Sequence, residues 1–440
     1  MKNRRLKNNH SYRQFWLLLT LLLLMVFVRY GLQINIPRVM LLIPVAAIAL
    51  QGSQTEIVAL IMCLIPLHES LDFYYALLIS AAVYVVKYSK RIRVNLSVVL
   101  ILIMIAWELL HCFFEEFSPI AFVTSLVPLV VLAIIMCSDL AEVDYDFLIR
   151  SMSVTLLAVA GTMFVQIVWL ARFNLVAALA NLRRLGSMDE KSANRLEVSG
   201  GMVQMNSLGI LSVLAISGIL QLRNAGRRKK IDLFLTAILL IFGALSASRT
   251  FLVCLVLMIL LMLFSQRNGR KKLRFLAMVI LACFLFLLVF GSLFPEQLEY
   301  YGDRFLEADI TTGRDDLMVI YHRFITNNPK IMFFGVGVQD YRRRLINEYH
   351  VTSTVPHNSI QEIVVAWGLP GFMLCLMLLV MMIRISRSHT RRQILLNYIP
   401  LIIILFKSMA GQLLTSGYSM LALSYAYLSL CQNFRPKEER

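Results

Sequence analysis

The sequence predicts an all-α fold, a polytopic transmembrane helical bundle of about 12–14 spans with a helical extracytoplasmic loop domain. Of the 440 residues, 59% are hydrophobic and only 16% are charged, and a water-soluble domain does not tolerate that composition on its surface. Apolar stretches of about 20 residues, long enough to cross a bilayer, recur along the chain. They are apolar on every face, as in residues 15–28 and 275–290, so they are helices rather than the alternating strands of a barrel.

The basic residues explain how these helices are oriented. A formal net charge of +17 raises the question of nucleic-acid binding. Most of the 43 Lys and Arg, however, lie between apolar stretches, in residues 2–13, 87–93, 223–230, 267–274, 384–392 and 435–440. Counting spans from a cytoplasmic N-terminus places all these clusters on the cytoplasmic side, as the positive-inside rule requires. We therefore expect no nucleic acid, both termini in the cytoplasm and contacts with anionic membrane lipids.

The apolar stretches define fourteen predicted spans and three regions. The spans are residues 15–31, 38–50, 56–67, 72–88, 94–113, 119–137, 151–171, 203–222, 231–247, 249–265, 275–294, 361–383, 394–411 and 415–432. Residues 1–294 hold transmembrane helices 1–11, residues 295–360 form the extracytoplasmic loop domain, and residues 361–440 hold helices 12–14 and a cytoplasmic tail. The second and third spans are short and contain Pro44 and Pro66, which predicts kinked or half-crossing helices.

The loop of residues 295–360 is too long for a simple connection, and loops of that length are generally functional or structured. Leu317, Ile320 and Phe324 recur at helical spacing within residues 313–329, and two aspartates follow Arg314 in the first turn. This pattern predicts an amphipathic helix that ends before Asn328-Pro329.

Three side chains on the predicted outer side are the main catalytic candidates. Arg249 lies in a tight turn between two spans, where a guanidinium can bind phosphate; the alternative is a snorkelling arginine. Arg314 begins the loop helix, whose N-terminus favours an anion; the alternative is an ion pair with a neighbouring aspartate. His357 lies just before an apolar span and can accept a proton near neutral pH; the alternative is a solvated loop histidine.

Weaker candidates for substrate binding surround these three. Asn206 lies on an apolar helix, where an amide must find a partner or line a cavity. The others are Arg304, Arg342, Asn358 and Glu362, and each has the alternative role of an ordinary surface residue or an internally bonded polar residue. The sequence shows no set of His or acidic side chains at metal-ligand spacing, so we expect no metal and no other cofactor.

These residues carry a resemblance to a known family. The resemblance rests on three segments: Ser248-Arg249-Thr250, residues 312–341 with Arg314, Asn328-Pro329, Gly335 and Gly337, and residues 356–372 with His357-Asn358, Gly368 and Gly371. In order and spacing, these segments resemble the O-antigen ligase and O-antigen polymerase superfamily. The resemblance runs from about residue 206 to residue 384.

The resemblance implies a reaction. Proteins of this family transfer a glycan from an undecaprenyl diphosphate carrier to a sugar hydroxyl, on the outer face of the bacterial cytoplasmic membrane. Arg249 and Arg314 would then stabilise the departing diphosphate and His357 would be the general base. The implied partners are the undecaprenyl-diphosphate-linked glycan and membrane lipids, together with a chain-length regulator and a flippase.

Within this family two activities differ only in the acceptor, and two other classes of protein compete with them. A polymerase joins lipid-linked repeat units, whereas a ligase transfers the glycan to lipid A core. We favour the polymerase because it is the more widespread activity. A polysaccharide or lipid-linked sugar transporter would also be polytopic, but the chain lacks the internal repeats that transporters often show. A structural scaffold would not need His and Arg at these positions.

Overall fold

A computed structural model shows an all-α protein. It describes residues 2–67, 71–114, 119–176, 205–266, 268–295, 298–299, 302–303, 314–350, 358–385, 391–409, 411, 413–414 and 417–432. No β-strand occurs in these ranges, where a single isolated bridge joins Ile92 to Ser138. The all-α part of the prediction is therefore confirmed.

In the first half of the chain, the described residues form seven α-helices. They are α1 (Lys2–Val26), α2 (Arg38–Gln51), α3 (Gln54–Leu64), α4 (Leu71–Tyr88), α5 (Leu96–Phe114), α6 (Pro119–Cys137) and α7 (Tyr145–Leu170). A π-helical turn, Phe27–Gly31, extends α1, and 3₁₀ turns, Ile65–Leu67 and Ser89–Arg91, follow α3 and α4. Pro44 lies inside α2, which has 14 residues, and Pro66 lies in the 3₁₀ turn after α3, which has 11. Both elements are thus as short as the sequence predicts.

The second half contributes ten helices in the part of the chain that is described. They are α8 (Met205–Asn224), α9 (Lys230–Leu245), α10 (Arg249–Ser265), α11 (Gly269–Leu293), α12 (Arg314–Asn327), α13 (Pro329–Phe334), α14 (Gly337–Tyr349), α15 (Ser359–Arg384), α16 (Arg391–Met409) and α17 (Gly417–Cys431). All fourteen predicted spans coincide with helices, and α12 confirms the amphipathic helix predicted in the loop.

Within the described residues, six helical segments are long and apolar enough to cross a membrane. These are Tyr12–Gly31, Leu96–Phe113, Tyr145–Trp169, Ser207–Asn224, Gly269–Leu293 and Ser359–Arg384, and six shorter apolar helices accompany them. The chain is therefore a multi-pass membrane protein by length and composition. How many of the shorter helices cross completely stays a prediction.

Burial separates the interior helices from the lipid-facing ones. Every residue of α3 is buried, and its N-terminus is closed by a capping box between Ser53 and Glu56. The membrane-spanning segment of α11 is not buried in the protein, although its hydropathy is the highest among the six candidate spans. A helix that is apolar all round suits either a protein core or lipid, so α3 fills the centre of the bundle and α11 faces the bilayer.

Hydrogen bonds fix which helix ends lie together. Gln221, near the end of α8, donates to the Leu396 carbonyl at the start of α16 and to Ser429 at the end of α17, at 2.8 and 3.0 Å. Nearby on α7, Arg150 binds Asp232 of α9 through two nitrogens at 2.8 and 3.1 Å. This end of the bundle carries the basic connections, and we call it the basic end.

Candidate functional site

Arg249 is the first residue of α10 and follows a strained turn. The Ser248 side chain caps the helix by accepting from the Phe251 N–H at 3.3 Å. Ala247 is fully buried with a φ of +47°, a conformation that costs an L-residue about 1–2 kcal/mol. Arg249 itself is partly buried. The turn therefore holds the guanidinium close to the bundle instead of leaving it free in solvent.

The start of α8 packs against this turn. A Cβ added at Gly209 would lie 2.7 Å from the Phe251 Cβ and 3.1 Å from the Ser246 Oγ, so only glycine allows the two helices to approach this closely. Asn206 lies three residues before Gly209, which puts the first turn of α8 next to Arg249. The side chain of Asn206 is outside the described residues.

The loop helices α12, α13 and α14 form a small core of their own on α15. Tyr321, Phe324, Ile331 and Tyr341 are buried together with Val365 of α15 and with the remaining members Val336 and Leu345. In addition, the Gln361 amide of α15 donates to the Met318 carbonyl of α12 at 3.1 Å. The N-terminal parts of α12, which begins at Arg314, and of α15, which begins directly after Asn358, are therefore neighbours.

Two glycines allow the backbones of the loop and of α15 to touch. Gly335, with a φ of +75°, has no room for a Cβ, which would lie 2.3 Å from the Ala366 carbonyl oxygen. Gly368, with a φ of +67°, interrupts α15, and a Cβ there would lie 2.6 Å from the Phe333 carbonyl oxygen. Between them, the Val336 N–H donates to the Val365 carbonyl at 2.9 Å. The break in α15 is thus the place where the loop is attached.

A fully buried carboxylate connects the same region to α5. Glu108 accepts hydrogen bonds from the Trp367 Nε1–H at 2.7 Å and from the Val338 N–H, to both oxygens, at 3.1 Å. One turn away, the His111 Nε2 lies 3.0 Å from the Phe334 carbonyl oxygen. A carboxylate at the N-terminus of α14 is favoured by the exposed N–H groups and the helix dipole. Glu108 therefore fixes α14 and α15 against one transmembrane helix.

Asn358 and Glu362 organise the start of α15. The Asn358 side chain caps the helix by accepting from the Ile360 and Gln361 N–H groups. The Glu362 carboxylate is fully buried and accepts from the N–H groups of Leu413 and Leu414 at 2.7 and 3.1 Å. These contacts hold the start of α15, including Asn358, in place. A contact of the Asn358 or Glu362 side chain with substrate stays a prediction.

Arg249 and Asn358 lie at the same end of the bundle, opposite the basic end. Three helix ends meet at the basic end, namely the end of α8, the start of α16 and the end of α17. Met205, the first residue of α8, and Met409, the last residue of α16, therefore lie at the opposite end of the bundle. At that end the Ser359 hydroxyl donates to the Gly411 carbonyl at 3.0 Å, just beyond α16. Gly209 brings Arg249 to the same end. We call it the loop end.

Other predicted residues lie wholly or partly outside the described residues. His357 and Arg304 lie outside them completely. The backbones of Arg314 and Arg342 are described as the first residue of α12 and as part of α14, but their side chains are not. The convergence of Arg249, Arg314 and His357 on one point therefore stays a prediction.

Sequence reasoning missed three polar side chains at this end, of which Glu108 and Lys407 are buried and His111 is partly buried. Glu108 and His111 lie on one face of α5, and their spacing of three residues on an apolar helix was an available signal. Lys407 is buried near the end of α16, where its ammonium donates to the Ser419 hydroxyl at 2.6 Å and lies 4.5 Å from the Tyr418 ring centre. An intramembrane lysine is costly and marks a functional region by default.

No group of three or more His, Cys, Asp or Glu suited to a metal ion occurs in the described part of the chain. The side chains at the loop end are instead those of Arg249 and Lys407, together with amides and with the carboxylates of Glu108 and Glu362. Both carboxylates already accept hydrogen bonds within the protein. Cationic groups of this kind bind anions such as phosphates.

One known family matches part of the chain. A family model described as O-antigen ligase matches residues 233–376, from α9 through the first two-thirds of α15. No curated protein matches the chain. The matched segment contains Arg249, the loop helices, the glycine contact and Glu362. It supports a role of the ligase or polymerase type in polysaccharide synthesis, and it supports the placement of the chain in the O-antigen ligase and O-antigen polymerase superfamily.

Proposed function

We propose that this protein is a metal-independent glycosyltransferase of cell-surface polysaccharide synthesis, which polymerises undecaprenyl-diphosphate-linked repeat units on the outer face of the cytoplasmic membrane. The observation that carries the proposal is the family match over residues 233–376, within which Arg249 and the start of α15 lie at one end of the bundle. A lipid-linked substrate needs such a site, where polar groups meet the bilayer surface.

In the proposed reaction a sugar hydroxyl of the acceptor attacks the anomeric carbon of the donor. The bond from that carbon to the diphosphate oxygen breaks, and the hydroxyl proton passes to the imidazole of His357. Arg249 and Arg314 bind the diphosphate as its negative charge grows. Removing one such charge-stabilising group typically costs about 10²- to 10³-fold in rate, and removing a general base costs about 10²- to 10⁴-fold.

The contacts around α15 give this chemistry a fixed frame. Asn358 caps the helix directly after His357, and Glu362 binds the connection that follows α16. Glu108 and the paired glycines hold the loop helices, of which α12 begins at Arg314, against the same helix. In a site built this way, the relative positions of base and cations depend on the loop staying docked.

A ligase that transfers the glycan to lipid A core is the second candidate, because the matching family is described as O-antigen ligase. Both enzymes use the same donor, so they differ only in the acceptor. The test is purified protein in nanodiscs with one lipid-linked repeat unit as donor and either a second lipid-linked unit or lipid A core as acceptor. A ladder of products with the first acceptor supports the polymerase, whereas a single product with lipid A core alone supports the ligase.

Two controls belong to the same experiment. His357→Ala abolishes transfer if His357 is the base, whereas His322→Ala, at an exposed position on α12, leaves it unchanged. Transfer persists in EDTA if no metal takes part. Loss of transfer in EDTA would contradict metal independence, and retained transfer by His357→Ala would remove this residue from the mechanism.

A further inference from the structure

A small pocket lies at the basic end of the bundle, away from the loop end. It has a volume of about 190 Å³ and is formed by the last turns of α8, the connection to α9 and the first two turns of α9. Three cationic side chains line it, those of Arg223, Arg228 and Lys229. The rest of the lining consists of Asp232, Thr236 and three aliphatic side chains. The pocket therefore has a cationic side and an apolar side, and we call it the basic pocket.

The acidic and the hydroxyl group in the lining of the basic pocket are already used within the protein. The Asp232 carboxylate accepts from two Arg150 nitrogens at 2.8 and 3.1 Å and from the Lys229 N–H at 2.6 Å. The Thr236 hydroxyl donates to the Asp232 carbonyl at 2.8 Å. Because the buried ion pair with Arg150 compensates the charge of Asp232, the charge that the basic pocket offers to a ligand is positive.

The two arginines of the basic pocket differ from their neighbours in having no acidic partner. Arg227, in the same connection, pairs with Asp146 at 2.9 Å. Among the residues that the structure describes, neither Arg223 nor Arg228 forms an ion pair with a carboxylate. Residues 223–230 contain five basic residues and no acidic one. Cations that line one small pocket repel one another, and a bound anion relieves that repulsion.

The connection that carries these cations is held in one conformation. Gly226, with a φ of +71°, follows the end of α8, and its N–H donates to the Arg223 carbonyl at 3.2 Å. The Arg227 N–H donates to the Leu222 carbonyl at 2.9 Å, which completes the two hydrogen bonds of a Schellman motif. Arg150 in turn donates to the Arg227 carbonyl at 2.9 Å. The backbone of the basic pocket is therefore formed before a ligand binds, which lowers the entropic cost of binding.

The apolar side of the basic pocket continues along the lipid-facing surface of α9. Leu233 lines the pocket and is 73% exposed. Ala237 and Ile241 follow it at a spacing of four residues and are also exposed, so the three side chains form an apolar stripe roughly 12 Å long. A ligand that has both a phosphate and a hydrocarbon chain can use the cations and the stripe together, whereas a free phosphate can use only the cations.

We infer that the basic pocket binds the phosphate headgroup of an anionic phospholipid, in the membrane leaflet at the basic end, with an acyl chain along the α9 stripe. Basic pockets between transmembrane helices bind headgroups of this kind through the charge of their Lys and Arg side chains. The expected contact of the chain with anionic lipids is thereby assigned to one site. Because this site lies at the end of the bundle opposite Arg249 and Asn358, the inference is independent of the proposed glycosyltransferase activity.

Photolabelling of the full-length protein tests the site without any transfer reaction. The protein is placed in phosphatidylcholine nanodiscs, photoreactive phosphatidylglycerol is titrated in, and the labelled peptides are mapped. The pocket variant combines Arg223→Gln with Arg228→Gln. The matched control combines Arg270→Gln with Arg274→Gln, which removes the same charge from exposed residues of α11 that do not line the basic pocket. One basic residue beside anionic headgroups changes affinity about fivefold, so we expect labelling of residues 219–236 to weaken roughly 20-fold in the pocket variant and to stay unchanged in the control.

A charge-preserving variant separates the loss of charge from damage to the fold. Arg223→Lys combined with Arg228→Lys keeps both positive charges at the same positions, so it should retain most of the labelling. If the Lys variant loses as much labelling as the Gln variant, positive charge is not what binds the lipid, and the inference fails.

Competition then identifies the source of the phosphate. Unlabelled phosphatidylglycerol should displace the label, whereas additional phosphatidylcholine or millimolar inorganic phosphate should not. Displacement by inorganic phosphate would make the basic pocket a site for a soluble anion. Equal weakening in the pocket variant and in the control would show a diffuse effect of surface charge, and label spread evenly over the lipid-facing helices would show that no such site exists. Each of these three results would overturn the inference.

Discussion

Removal of the Glu108 carboxylate tests whether the loop helices are held to the membrane helices as the structure indicates. In Glu108→Ala, the Trp367 Nε1–H and the Val338 N–H both lose their acceptor in a buried place. Each unsatisfied buried donor costs about 1–3 kcal/mol, and water entering the vacated space offsets part of that cost. We therefore expect the docked state of α14 to lose about 3 kcal/mol relative to local opening.

Hydrogen exchange measures this loss at the affected residue. A change of about 3 kcal/mol in the opening free energy raises the exchange rate of the Val338 amide roughly 100-fold. Glu108→Gln keeps one carbonyl oxygen, which can accept from only one of the two donors, and its NH₂ group then faces the other donor. We therefore expect a smaller increase in the Val338 exchange rate, about tenfold. Glu142→Gln is the matched control, because the Glu142 side chain is 64% exposed and forms a surface ion pair with Arg91 at 2.8 Å.

Two results would refute the reasoning. Unchanged exchange at Val338 in Glu108→Ala would mean that the carboxylate does not hold α14. An equal rise in the core helix α3, which is buried along its whole length, would mean that the variant unfolds globally and that the effect is not local.

Three further predictions concern α15 and its cap. Gly368→Ala combines a left-handed φ with a Cβ placed 2.6 Å from the Phe333 carbonyl oxygen, so we expect a loss of thermal stability in detergent. The loss should exceed that of Gly226→Ala, because Gly226 has a similar φ of +71° but a Cβ there would meet open space. Equal losses would contradict the backbone contact. Asn358→Ala removes the N-cap of α15 at a cost of about 1 kcal/mol, and hydrogen exchange should show faster amide exchange in the first turn of α15. Asn358→Asp should restore the protection of these amides. If Asn358→Asp fails to restore it, the Asn358 side chain does not act as a cap. Glu362→Ala leaves the N–H groups of Leu413 and Leu414 without their carboxylate acceptor. Limited proteolysis should then cut near these two residues sooner than in wild type, and an unchanged cleavage pattern would argue against this contact.

Much of the fold could be predicted because membrane helices are specified locally. An apolar stretch of the right length must satisfy its backbone internally, so length and hydropathy were enough to place each span on a helix. The ends of α12 were also predictable, since aspartates favour its first turn and Asn328-Pro329 stops it. The match of the predicted helix to Arg314–Asn327 confirms this reasoning.

The arrangement of the site could not be predicted in the same way, because it depends on contacts between distant parts of the chain. Glu108 is separated from Val338 by 230 residues, and nothing in its own helix indicates its partners. Gly335 and Gly368 were visible as glycines, but their backbone contact requires two segments to be packed together. Glu362 was predicted from its position as a substrate-binding residue, and the structure shows in addition that its carboxylate binds the connection after α16.

The central claim is that the loop end forms one catalytic site in which Arg249, Arg314 and His357 act together. The most direct test is glycan transfer by purified protein in nanodiscs from a lipid diphosphate-linked repeat unit, comparing wild type with Arg249→Ala, Arg314→Ala and His357→Ala at equal protein levels. The account predicts product ladders from the wild type and a loss of at least about 10²-fold in each variant. Wild-type rates in any one variant would remove that residue from the site, and no transfer by wild type from several matched donors would contradict the proposed reaction.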